Sequence, residues 1–204
     1  MTSVFSSSLI FRLLFQPHAV FNELAEIKPS AWSVFFKSAL WLGVIPPIFA
    51  YLGASNFGWR LGTVEPLFLS ENIVLGISVA YFLALLVGFV STALVSKWMA
   101  STYGARHSLG IHFAMITIVG APLAVGSIIH IYPDVFLNIL VFVPVVLWSM
   151  YLLYRGLPIV LKTTPERGML MASSLIGYLL VAFVSLLGIT VLLWINGIGP
   201  LMGV

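Results

Sequence analysis

The chain has 204 residues, of which 61% are hydrophobic and only 7% charged, and its mean hydropathy is +1.13. Soluble domains carry about 25% charged residues, so the composition excludes a water-soluble exterior and requires lipid as the outer solvent. The net charge of +3 fits basic residues held on one side of a membrane better than nucleic-acid binding, and the absence of cysteine excludes disulfides, thiolate metal sites and cysteine nucleophiles.

Residues 1–32 read as a cytoplasmic, interfacial segment of a single 204-residue membrane domain. Arg12 sits inside the apolar run LIFRLLF, and no small-residue cleavage site follows, unlike a cleavable leader. Pro17 suits the first position of a short helix, AVFNELAEI. Val20, Phe21, Leu24 and Ile27 share one face of it. Such an amphipathic helix either lies in the headgroup plane or docks on the bundle.

Five apolar spans follow, at about residues 33–54, 73–100, 109–129, 135–154 and 169–194. Ser30 is placed to cap the first and Trp32 to anchor it at the interface. Pro46 and Pro47 predict a bend or break within it, because each removes a backbone donor. Lys37 lies one turn inside, where its stem can snorkel. The second span is free of charge between Glu71 and Lys97. Pro122 falls at the centre of the third span and Pro144 within the fourth. Asp134 is a candidate cap for the fourth span, and a turn is expected at Gly156 and Pro158. Thr164, Pro165 and Glu166 then open the fifth: hydroxyl cap, proline at the first position, carboxylate at the positive dipole end. Gly177 and Gly188 permit close helix contact there. The fold class expected is all-α: five transmembrane helices preceded by an amphipathic interfacial helix.

Five spans place the termini on opposite sides. Arg12, Lys28, Lys37, Lys97, Arg106, Arg155, Lys162 and Arg167 fall on one side and Arg60 alone on the other. By the positive-inside rule the N-terminus is cytoplasmic and the C-terminus outside.

Trp148 through Tyr154, leading into Gly156, Leu157 and Pro158 and then Lys162, Thr163, Thr164, Pro165 and Glu166, resemble the Yip1 domain family in its bacterial form. The opening FQPHAVFNELAEIKPSAW is similar to the family's start, a proline and a Phe before a short helix and the first span. The resemblance covers essentially the whole chain. It implies a multi-pass protein of the inner membrane with five spans and a cytosolic N-terminus. Eukaryotic relatives associate with Rab-type small GTPases in Golgi and vesicle trafficking. They carry a longer acidic cytosolic segment and an Asp-Leu-Tyr-Gly-Pro signature, both lacking here, so small-GTPase binding is not carried over.

Catalytic signatures are missing: no GxSxG, no HExxH, no Gly-rich phosphate loop, and every carboxylate at a helix end or in a loop. No enzyme and no cofactor is expected. His130 and Asp134 share one tight turn and could share a metal or a proton, but two ligands fall short of a stable site. His112 lies about one turn into the membrane, where ionisable groups are functional candidates. Arg155, Lys162 and Arg167, with Arg106 and Lys97, suit anionic headgroups or a partner protein. The leading expectation is a non-enzymatic protein acting through lipid or protein contacts, self-association included, at its cytoplasmic face. The alternative is a small oligomeric transporter or channel using Pro46, Pro47, Pro122, Pro144 and His112 around a midplane site. The polar supply for such a path is thin: Thr117, Ser78, Tyr81 and Ser91.

Overall fold

A computed structural model describes residues 8–60, 65–105 and 107–197, and over these the chain is helical. Five helices are long and apolar enough to cross a membrane: Ala31–Phe57, Glu71–Thr102, Leu109–Ile131, Val135–Val160 and Pro165–Ile195, the first to fifth spans. Two short helices precede them, α1 (Leu9–Phe15) and α2 (Pro17–Glu26). Among the described residues, extended pairing is limited to isolated bridges of Trp59 with Leu67 and Arg60 with Asp134. Even the shortest span has 23 residues. At about 1.5 Å per residue it reaches about 35 Å, enough for a hydrocarbon core of about 30 Å.

The third span is the centre of the bundle. It packs on the first, second and fourth spans and on α2. Its Ala114, Met115 and Ile118 join Leu152 and Leu157 of the fourth span and Met171 and Leu175 of the fifth in one core. Glycines let backbones meet here: a Cβ on Gly110 would collide with the Pro29 carbonyl, and one on Gly53 with the His130 carbonyl. Gly177 and Gly188 are different. A Cβ on either meets nothing, so within one chain they bring no helices together.

Neither a break at Pro46 and Pro47 nor a turn at Gly156 and Pro158 is present. Pro46 and Pro47 are buried inside a helix that continues from Leu40 to Phe57. The missing donors free the carbonyls four residues back, but the flanking bonds and the packing around them keep the segment helical. The irregularity in this span is instead a π-helical turn over Phe35–Ala39. Likewise the fourth span does not turn at Gly156 and Pro158 but runs on to Val160. Gly156 is there for proximity: a Cβ would strike Phe21 and Met115. Pro158 is two residues from the helix end, where a lost hydrogen bond disturbs little.

The N-terminal helix is docked on the bundle. Val20, Phe21 and Leu24 of α2 are 0% exposed, and α2 packs on the fourth and third spans. Its amphipathic face met protein, an outcome its pattern alone left open. Phe11 and Phe15 of α1 remain exposed, with Trp32 just beyond. Ser30 occupies the cap position of the first span, but its carbonyl, not its hydroxyl, takes the first bond, from the Val34 amide.

Candidate functional site

The ends of the second and fourth spans, the starts of the third and fifth, and α2 converge at one end of the bundle. The stretch from Tyr154 to Arg167 is its hub. Leu161 N–H bonds the Leu157 carbonyl, Lys162 N–H the Ile159 carbonyl at 3.2 Å, and Thr163 N–H the Pro158 carbonyl at 3.1 Å. This is a Schellman closure, with Lys162 at the left-handed position (φ 49°) that glycine usually takes. A side chain costs about 1–2 kcal/mol there, so something about the lysine offsets the strain. Its Nζ donates to Glu26 of α2 at 2.9 Å.

The neighbouring residues do similar work. Arg155 Nη2 lies 2.6 Å from His18 Nε2; a guanidinium only donates, so this nitrogen of His18 accepts. Arg167 Nη1 donates to the Tyr103 carbonyl at 3.2 Å, tying the fifth span to the end of the second. His107 Nε2 donates to the Leu161 carbonyl at 2.9 Å, which fixes the hydrogen on that nitrogen. Tyr154 and Ser173 share a hydrogen bond of 2.9 Å between the fourth and fifth spans. Pro158 packs on Gly168, where a Cβ would be 2.8 Å from its ring. Thr164 Oγ1 accepts from the Arg167 amide at 3.4 Å, Pro165 is the first helical residue, and Glu166 is exposed in the first turn. Arg12 pairs with Glu23, joining α1 to α2. Arg155, Lys162 and Arg167 thus already hold partners within the chain. Lys28, Lys37 and Lys97 are exposed and hold none among the described residues. Arg106 lies outside the described residues.

His112 is 0% exposed and does not snorkel. Its Nδ1 is 2.9 Å from Ser96 Oγ of the second span, while Nε2 is buried without a partner. The His107 ring stands edge-on, its centroid 6.5 Å away. Pro46 and Pro47 are buried, Pro122 is half-buried, and Pro144 faces outward. The buried hydroxyls of Thr92 and Thr117 are satisfied by carbonyls of their own helices, at 2.6 and 2.8 Å.

At the opposite end His130 and Asp134 do not pair. Asp134 caps the fourth span, Oδ1 accepting from the Leu137 amide at 2.8 Å. His130 Nδ1 meets Asn138 Oδ1 at 2.6 Å, and its ring stacks on Phe142 at 5.1 Å. No group of three or more His, Cys, Asp or Glu suited to a metal occurs among the described residues. Arg60 lies over the Tyr132 ring at 5.2 Å. Ser96 and His18 carried no sequence signal, because each acts through a partner distant in the chain.

The profile of the Yip1 domain matches residues 11–186. The chain belongs to the Yip1 family. Among Yip1 relatives it is similar to "Inner membrane protein YohC" of Escherichia coli strain K12, 32% identical over 155 residues that cover 76% of this chain and 80% of that protein. The YohC protein of Escherichia coli O6:H1 matches to the same extent. No solved structure matches. The Yip1 match takes in α2, the hub and most of the fifth span, so the docked N-terminal helix is part of the family domain.

Proposed function

We propose that this Yip1-family membrane protein is non-enzymatic and works through contacts, with lipid or with other membrane proteins, at the basic end of its bundle. One observation carries the reading. Eight of the nine Lys/Arg belong to that end by chain position, while the six acidic residues divide evenly between the two ends. The internal bonds of Arg155, Lys162 and Arg167 hold that face in shape and leave Lys28, Lys37 and Lys97 to face outward. The same asymmetry orients the chain with this end and the N-terminus in the cytoplasm and the C-terminus outside. The similarity to the Escherichia coli inner membrane protein supports the inner membrane as its location.

Purification in mild detergent, followed by mass spectrometry for retained lipid and co-purifying protein, tests the reading. Retained lipid or a partner lost on replacing Lys28, Lys37 and Lys97 with Gln is the expected result. Absence of both in the wild type contradicts it. Solute flux into proteoliposomes, abolished by His112→Ala, would replace it with transport.

A further inference from the structure

We infer that the outer face of the second span holds one anionic phospholipid, an acyl chain in its apolar groove and the phosphate at Lys97. The inference rests on reading the basic end as a contact surface, and it names the ligand and its residues.

The groove is open and shallow, lined by Leu86, Val87, Val90, Ser91 and Leu94. Ser91 would make it polar, but its hydroxyl is turned to the Gly88 carbonyl at 3.2 Å. The wall is therefore apolar from Leu86 to Leu94, eight steps of about 1.5 Å or about 12 Å of helix. Lys97 follows Leu94 by three residues, almost one turn, on the side that continues the groove. It is exposed and meets no carboxylate among the described residues. Trp98 beside it is 71% exposed, an indole placed for the interface.

Depth agrees with this assignment. The helix has 32 residues, about 48 Å, which exceeds a core of about 30 Å by about 9 Å at each end. Lys97 lies five residues before the end at Thr102, about 8 Å down, at the edge of the hydrocarbon, from which its stem can reach the lipid phosphates. A cation at that boundary above an open apolar groove matches a phosphodiester with its chain below. A symmetric contact with a second copy about an axis near Lys97 would set Lys97 against its like, and a soluble anion would leave the groove empty.

The test uses the full chain in detergent with equimolar phosphatidylglycerol and phosphatidylcholine, read as retained lipid by native mass spectrometry. The wild type is expected to retain phosphatidylglycerol preferentially. Lys97→Gln is expected to lower the ratio about fivefold, which corresponds to about 1 kcal/mol per basic residue at the headgroup level. Lys97→Arg keeps the preference. Val90→Trp, at a position already facing outward, fills the groove and lowers retention of both lipids. An unchanged ratio in Lys97→Gln overturns the site while lipid retention itself leaves the broader reading standing. Displacement of phosphatidylglycerol by free glycerol phosphate also overturns it, because the groove then contributes nothing. A wild type that retains neither lipid overturns it too, and if no protein co-purifies the broader reading falls with it.

Discussion

The third and fifth spans are both apolar enough to cross a membrane, yet they occupy opposite places. Half of the most apolar window of the third span is buried in protein, against 6% of that of the fifth. The fifth is the more apolar of the two, but only its first turns, Gly168, Met171, Ala172 and Leu175, pack on the bundle. Beyond Leu175 the residues are mostly exposed, as at Val181, Phe183 and Ile195. Lipid is as apolar as a protein interior, so greasiness marks a crossing and says nothing about the centre. What marks the centre is close approach and a buried polar contact, Gly110 against Pro29 and His112 against Ser96.

That contrast can be broken most severely at Gly110. Gly110→Val puts a methyl-bearing carbon into the Pro29 carbonyl, a backbone group that cannot swing aside. A loss of at least about 4 kcal/mol is expected, read as loss of the monodisperse peak on size exclusion. Next comes Phe21→Ala. Removing a ring that is 0% exposed costs about 3 kcal/mol, and because α2 is held on one side it undocks before the spans melt. Limited proteolysis should cut near residues 16–30 in the variant and spare the wild type.

Lys162 sharpens the account of the hub. Lys162→Ala and Lys162→Gly both lose the Glu26 pair, but only alanine keeps a Cβ at φ 49°. The glycine variant should be the more stable by about 1 kcal/mol, seen as a higher Tm in the same detergent. Equal Tm values would refute the strain. At the opposite end Asp134→Ala, which removes the cap on Leu137, should lower stability by about 1 kcal/mol. The smallest effect belongs to the fifth span. Gly188→Ala meets open space and should shift stability by less than about 0.5 kcal/mol. A large loss there would mean that this helix has a neighbour the single chain does not supply.

Local chemistry was legible in the sequence. Asp134 and the Thr164–Pro165–Glu166 start follow from rules that act within one turn, and both are present. The five crossings followed from composition. The turn at Gly156 and Pro158 did not survive, because those residues punctuate chains in water, whereas here one admits Phe21 and the other sits near a helix end. His130 and Asp134 could share a metal or a proton by position alone; Asp134 is the cap its position suggested, and Asn138, one turn further on, takes the imidazole. The docking of α2 was half legible. The apolar stripe was visible, but its partner depends on Gly156 and on Arg155 and Lys162, more than a hundred residues away.

All of this requires that the basic end face the cytoplasm. The natural chain has no cysteine, so single cysteines at Lys28 and Glu65 report on the two ends without background. With an impermeant maleimide applied to the periplasmic side of intact spheroplasts, the cysteine at 65 should be labelled, and the one at 28 only after lysis. Labelling at 28 without lysis would invert the bundle and contradict the account.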